Sequence, residues 1–183
     1  MRAAALAVAL AVACVHAARA GAFLSQKEAI ALAFPDAQRV EARNLVLTDA
    51  QAKEIGAAAR APLASKIATV HVGLREGRVI GYALIDVHVV RTQPEALLIV
   101  LEPDGAVRSV RAVAFYEPEE YLPPQRFRDA FSGKRTIEEL RPEAQIHAIA
   151  GATLSSRATF EAVRRAMAIC SVLKDQLSAP EEH

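Results

Sequence analysis

Hydroxyl and small side chains are concentrated in residues 149–156, directly before a long amphipathic stretch. Thr153, Ser155 and Ser156 supply the hydroxyls, while Gly151 and Ala152 leave the backbone open to close approach. The unpaired amides at the start of a helix, together with the positive end of its macrodipole, form a site suited to an anion. The segment is therefore compatible with phosphate binding near Thr153. An ordinary helix cap, formed by Thr153 or Ser155, is the alternative.

Other residues with chemical potential are dispersed along the chain. His71 and His88 fall in predicted strands without a partner at metal-ligand spacing, which favours structural roles. Arg91 could face a cofactor or a partner, and simple solvent exposure is the alternative. The sequence contains no Cys-x-x-Cys-His and no Gly-x-Gly-x-x-Gly, and it offers no convincing acid–base pair. We therefore predict no catalytic residues and no metal site.

The composition predicts one globular domain. The chain has 183 residues, of which 52% are hydrophobic, so it can bury a core without disulfides or metals. The formal charge is +1 and no basic run is present. Because binding to phosphate backbones needs clustered Lys and Arg, nucleic acid is excluded as the main partner.

The N-terminus predicts export. Met1-Arg2 is followed by an apolar run from Ala3 to Val15 and by the small-x-small sequence Ala18-Arg19-Ala20. The run is shorter than the roughly 20 residues that span a bilayer, so residues 1–20 are interpreted as a cleaved signal peptide. The mature protein is then periplasmic or otherwise extracytoplasmic. The alternatives are an uncleaved anchor and a lipoprotein that is acylated at Cys14.

The remaining chain predicts an α+β fold, in which an antiparallel sheet is packed with helices from both ends of the chain. Capping boxes at Ser25 and Thr48 each begin a helix. Pro124 begins a third helix, and the fourth is expected over about 155–177, with an apolar stripe that includes Cys170 as a small buried side chain. The strands are expected at 39–47, 67–74, 79–90, 96–101 and 107–115, with Gln93-Pro94 as a break. The domain is predicted over 21–177, followed by a flexible tail at 178–183.

The helix-start segment resembles a known signature. Gly151-Ala152-Thr153-Leu154-Ser155-Ser156, followed by an amphipathic helix, is similar to the signature of the FMN-binding domain family. This family includes periplasmic subunits of Rnf-type and sodium-pumping NADH:quinone oxidoreductase complexes, and stand-alone exported proteins. The resemblance extends upstream to Val79-Ile80-Gly81-Tyr82, Asp104-Gly105-x-Val107, Glu117-Pro118 and Phe131-x-Gly133-Lys134.

The resemblance implies FMN as the cofactor, joined to Thr153 by a phosphoester bond that an FAD:protein FMN transferase makes. The protein would then be an electron-transfer module whose partner is an unidentified periplasmic or membrane redox protein. The implied cofactor-binding residues are Ala150, Gly151, Ala152, Thr153, Leu154, Ser155, Ser156, Glu117 and Pro118.

Two positions depart from the family pattern. Ala150 stands where the family usually has Ser or Thr, and His147 stands where it usually has Asp. These departures leave open a flavin-free binding protein of the same fold. An exported flavin-dependent reductase of a small molecule is the other alternative, and the absence of a second cofactor motif favours the electron carrier.

Overall fold

The computed structural model describes residues 24–140 and 152–178, and these form five strands and five α-helices. The strands are β1 (Arg39–Val46), β2 (Ile67–Arg75), β3 (Arg78–Val90), β4 (Gln93–Leu101) and β5 (Val107–Phe115). The helices are α1 (Gln26–Ala33), α2 (Asp49–Ala59), α3 (Gln125–Asp129), α4 (Thr153–Val172) and α5 (Lys174–Ser178). Short 3₁₀ turns lie at Glu119–Tyr121 and Ile137–Glu139.

The five strands form one antiparallel sheet in the order β1-β2-β3-β4-β5. Tight turns impose this order. Glu76 and Gly77 both have positive φ, at 53° and 71°, which is the backbone twist that a two-residue hairpin between β2 and β3 requires. The predicted α+β class is confirmed, since helices from both ends of the chain pack on the sheet.

Alternating side chains of β3, β4 and β5 supply two separate cores. In β4, Leu97, Ile99 and Leu101 face the larger core, which is shared with α2, α3 and α4. Leu98 and Val100 face the smaller core under α1. Helices therefore cover both faces, and α4 lies on the face with the larger core.

Capping boxes begin the first two helices, as predicted. The Ser25 side chain accepts a hydrogen bond from the Glu28 amide, while the Glu28 carboxylate accepts one from the Ser25 amide at 2.8 Å. Thr48 and Gln51 form the same reciprocal pair at α2. Two backbone amides that would otherwise lack partners are satisfied at each helix start.

Three aromatic rings fix the first half of α4 on the sheet. Phe160 of α4 packs edge to face against Phe127 and Phe131, with ring centroids 5.8 and 4.8 Å apart. Further along the same apolar stripe, Cys170 is buried as predicted, and burial raises the pKa of its thiol to about 12.

Two predicted boundaries are wrong. Gln93-Pro94 is not a break, because both residues pair with the end of β3 and the chain reverses one step earlier, around Arg91. The long helix begins at Thr153 rather than Ser155, and it ends at Val172 before the separate helix α5. Pro94 is tolerated in a strand because the missing N–H removes only one possible ladder bond.

The predicted signal peptide, residues 1–20, lies outside the described residues, as does nearly all of the predicted tail. Within the described ranges, no helix has the length and apolar character needed to cross a membrane.

Candidate functional site

The start of α4 presents the predicted attachment residue to solvent. Thr153 is the first helical residue and is exposed, as is Leu154. Ala152 occupies the N-cap position with φ of −102°, and no side chain caps the helix. The alternative role of Thr153 or Ser155 as an ordinary cap is therefore not what the structure shows. The helix start keeps amides available for an anion.

Two serines, two and three residues after Thr153, point inward. Ser155 and Ser156 are 1% and 0% exposed, and neither hydroxyl has a hydrogen-bond partner among residues 24–140 and 152–178. One turn later, the Thr159 hydroxyl donates to the Ser155 carbonyl at 2.8 Å. A buried hydroxyl without a partner costs on the order of 1–3 kcal/mol. The start of α4 thus places two buried hydroxyls close to an exposed threonine.

The second predicted element of the site, Glu117-Pro118, lies beside the turn between β3 and β4. One carboxylate oxygen of Glu117 accepts from the backbone amides of Thr92 and Gln93, both at 2.9 Å. The Thr92 amide, followed by the Gln93 amide and the Thr92 hydroxyl, lowers the pKa of Glu117 despite slight desolvation. Glu117 therefore fixes this turn as an ionised side chain, while Pro118 begins the following 3₁₀ turn.

Arg91 lies at the same turn. Its φ of 46° places the backbone in the left-handed region, and its guanidinium lies 4.1 Å from the ring centroid of Tyr121. Cation–aromatic contact of this kind is favourable by about 0.5–1 kcal/mol at exposed sites. Glu117 and Tyr121, which both follow β5, therefore connect residues 116–121 to the turn between β3 and β4.

The course of α4 relates the two parts. Cys170 and Tyr82 line one cavity of about 330 Å³ near the beginning of β3, whereas Arg165 bonds to Asp86 further along that strand. Moving toward the start of α4 therefore moves toward the end of β3. Thr153 lies twelve residues before Arg165. The helix start therefore lies about 18 Å along the helix axis from the side chain that bonds to Asp86.

A continuous segment that contains most of these residues matches one known protein family. The match covers residues 92–168, from the β3–β4 turn into the second half of α4, under the description FMN-binding domain. Residues 92–168 thus match an FMN-binding domain. The assigned cofactor is accordingly FMN, and the protein is a flavin-binding protein. No curated protein and no solved structure gives a significant match.

The structure describes seven of the nine predicted site residues. Ala150 and Gly151 lie outside the described residues. Ala152, Thr153, Leu154, Ser155 and Ser156 are consecutive at the α4 start, and Glu117 and Pro118 follow β5.

Sequence reasoning missed a buried ionic network. Arg165 donates two hydrogen bonds of 2.8 Å to the two carboxylate oxygens of Asp86. His88 contacts Asp86 through Nδ1 at 2.8 Å and Glu95 through Nε2 at 3.2 Å. Arg165, Asp86, His88 and Glu95 are hereafter called the charge network. It crosses from α4 over β3 to β4.

Hydrogen bonding keeps Asp86, His88 and Arg165 ionised. Burial alone would lower the pKa of His88, but the bonds to Asp86 and then Glu95 raise it to about 9. Burial likewise opposes the charge on Asp86, and the bonds from His88 and Arg165 lower its pKa to about 2. His88 is therefore a buried imidazolium at neutral pH.

Glu95 is the innermost member of the charge network. It is 1% exposed, and its Oε1 has no hydrogen-bond partner in the described part of the chain. Arg128 of α3 interacts favourably with Glu95 through charge, although burial lowers the pKa of the Arg128 guanidinium. The spacing Asp86-x-His88 placed two polar groups on one strand face, but only the β3–β4 register, in which His88 is opposite Glu95, brings the third group to them.

A cleft opens where β2 and β3 separate. The two strands pair from the hairpin as far as His71 and Ala83. Beyond this pair, β2 extends back to Ile67 and β3 continues to Val90. The gap forms a cavity of about 610 Å³. Its lining is apolar for the most part and includes Asp86, His88 and Arg165. The charge network thus has one side turned toward this cleft.

Proposed function

We propose that this protein is an exported electron carrier that holds FMN through a phosphoester bond to Thr153. The observation that carries the proposal is the exposed Thr153 hydroxyl at a helix start without a side-chain cap, inside the match to the FMN-binding domain. The Thr153 oxygen would bond to the FMN phosphorus, and AMP would leave when FAD is the donor.

The residues at this position fit a phosphate group. The amides and macrodipole of α4 favour negative charge at its start, by about 0.3–1 kcal/mol at an exposed site. The unpartnered hydroxyls of Ser155 and Ser156 lie within three residues of Thr153 and are donors without an acceptor. A phosphate at the helix start would bring acceptor oxygens to this cluster.

The separate roles of the cofactor and the chain support an electron carrier. Bound FMN supplies one- and two-electron redox chemistry, and the chain supplies placement and electrostatics. A covalent tether keeps the cofactor at high local concentration outside the cytoplasm, where a dissociated flavin is lost to dilution. The ionisable groups of the charge network are bonded to one another, which favours an electrostatic role over acid–base catalysis.

Covalent attachment is tested by co-expression with an FAD:protein FMN transferase. We expect the intact protein to gain the mass of one FMN less one water, with the label in the peptide that contains Thr153. Thr153→Val, which removes the hydroxyl and retains the shape, should lose the label. Thr69→Val is the matched control, because the Thr69 hydroxyl bonds to Asn44 across the β1–β2 ladder, and it should retain the label. Labelling of Thr153→Val would refute the assignment, and an unlabelled wild-type protein would support a flavin-free binding protein.

Electron transfer is tested by stopped-flow oxidation of the reduced, flavin-loaded protein against redox proteins and small acceptors. After removal of residues 1–20 the chain has 20 basic and 21 acidic residues, so the long-range field is weak. Rates with a cognate redox protein should therefore change only modestly with salt. Fast, saturable oxidation by one small molecule, with no protein acceptor, would instead identify a reductase.

Export is tested by N-terminal sequencing of the protein recovered outside the cytoplasm. Cleavage after Ala20 should give Gly21 as the first residue. A lipid-modified Cys14 as the first residue would contradict this processing route and indicate a membrane-tethered protein.

A further inference from the structure

The cleft between β2 and β3 divides one end of the sheet. The ladder between these strands ends at His71 and Ala83. The same register would place Ile67 opposite Val87, yet the two residues do not pair. Each strand remains paired on its other side, β2 with β1 and β3 with β4. The cleft is therefore a feature of the folded sheet, bounded by two intact ladders, rather than a frayed end.

The walls of the cleft are mainly apolar. Its volume of about 610 Å³ lies within the roughly 300–1,000 Å³ of sites that bind small molecules. Ile67 and Val87 line it and are 61% and 64% exposed, although both have large apolar side chains. Leu63 before β2, Leu84 on β3 and Ile169 on α4 contribute further apolar lining. An apolar ligand is favoured here, because its binding removes this surface from water.

One wall of the cleft carries the charge network. Arg165 donates from Nε and Nη2 to Asp86, whereas its Nη1 makes no hydrogen bond among residues 24–140 and 152–178. Asp86 and His88 also line the cleft, but both carboxylate oxygens and both ring nitrogens bond within the charge network. Nη1 of Arg165 is therefore the group of this wall that can donate to an oxygen of a ligand.

The charges around this wall decide which kind of oxygen it accepts. Three cationic side chains interact with four acidic ones: Arg165, His88 and Arg128 with Asp86, Glu95, Glu161 and Asp129. An anionic ligand would find no uncompensated cation and would lose its hydration on burial. A neutral carbonyl oxygen avoids that cost and still accepts a hydrogen bond from Arg165.

We propose that the cleft binds a neutral amphiphile, a molecule with an apolar body and a carbonyl oxygen that accepts a hydrogen bond from Arg165. The apolar body covers Ile67 and Val87 and leaves both ladders intact. Arg165 lies about 18 Å along α4 from Thr153, so the site is separate from the proposed attachment of FMN and does not depend on it.

The test is isothermal titration calorimetry of the purified full chain, free of FMN, with 2-nonanone at pH 7. We expect saturable binding. Nonanoate has the same number of carbon atoms and an anionic head, so it should bind more weakly by about tenfold or more. Ala64→Trp adds a large ring at an exposed residue of the cleft wall and should weaken binding of 2-nonanone by about tenfold or more. Ala58→Trp is the matched control, because Ala58 is an exposed residue of α2 that does not line the cleft, and its affinity should equal that of the wild type.

Infrared spectroscopy tests the donor. Arg165→Lys keeps a cation beside Asp86 but lacks Nη1. The carbonyl band of bound 2-nonanone should therefore lie at a lower frequency in the wild type than in this variant, because hydrogen bonding to the guanidinium weakens the carbonyl bond.

The inference fails if 2-nonanone shows no saturable binding, if nonanoate binds equally well, if Ala64→Trp binds undiminished, or if the carbonyl frequency is the same in both proteins. Where circular dichroism shows that a variant is unfolded, the comparison of the two probes on the wild type still decides.

Repeating the titration with FMN-loaded protein separates this inference from the proposed function. The affinity for 2-nonanone should be the same with and without FMN. Loss of binding on loading would assign the cleft to the flavin and overturn the separate site. If the protein takes up no FMN, the proposed function fails, while the titration of the unloaded protein still decides whether the cleft binds a neutral amphiphile.

Discussion

His88 should make the stability of the fold depend on pH in a window where few other side chains titrate. Its pKa is raised from 6.5 to about 9 in the folded protein. A raised pKa contributes stability that is fully present below the unfolded value and is lost as pH rises through the folded value. At about 1.4 kcal/mol per pKa unit, the free energy of unfolding should fall by about 3 kcal/mol between pH 6 and pH 9.

The assay is urea denaturation followed by circular dichroism at intervals from pH 6 to pH 9. The His88→Gln variant supplies the control, because every other titrating group is common to both proteins. We expect the difference in unfolding free energy between wild type and variant to shrink by about 3 kcal/mol across the window. A difference that stays constant within about 0.5 kcal/mol would refute the assignment of His88 as a buried imidazolium, since only its proton distinguishes the two curves.

Three further predictions concern the fold. Phe131→Ala should destabilise the protein by about 3–5 kcal/mol in urea denaturation, because the ring is 1% exposed and contacts both Phe127 and Phe160; a loss below about 1 kcal/mol would contradict this packing. Thr48→Ala should cost about 1 kcal/mol by the same assay through loss of the α2 cap, and an unchanged midpoint would show that the cap is dispensable. Cys170 should react with iodoacetamide only after denaturation, because its thiol is buried with a pKa of about 12; rapid labelling of the native protein would place the thiol at the surface.

Local sequence signals predicted the elements that local chemistry determines. The capping boxes at Ser25 and Thr48 are each complete within a few residues, so α1 and α2 were expected where they begin. The start of α4 was placed two residues late because Ser155 resembles a cap, whereas burial of its side chain leaves that position to Ala152.

The charge network could not be predicted because it depends on long-range pairing. Asp86 and His88 share a strand face, but Glu95 reaches them through strand register and Arg165 through helix docking, 79 residues away in sequence. The start of β4 was predicted too late, at Ala96, for a similar reason. Only the pairing with Val89 shows that Pro94 belongs to the strand. The motif at residues 151–156 could be recognised from the sequence, whereas the contacts of the charge network could be seen only in the folded structure.

The strictly sequential strand order has a consequence for how the chain folds. Each strand pairs with the one made just before it, so every ladder closes through a short connection or through the single α2 segment, and loop-closure entropy stays small. We expect the meander to assemble hairpin by hairpin from its N-terminal edge. The long helix that carries Thr153 is nearly the last element made, so it docks on a surface that already exists.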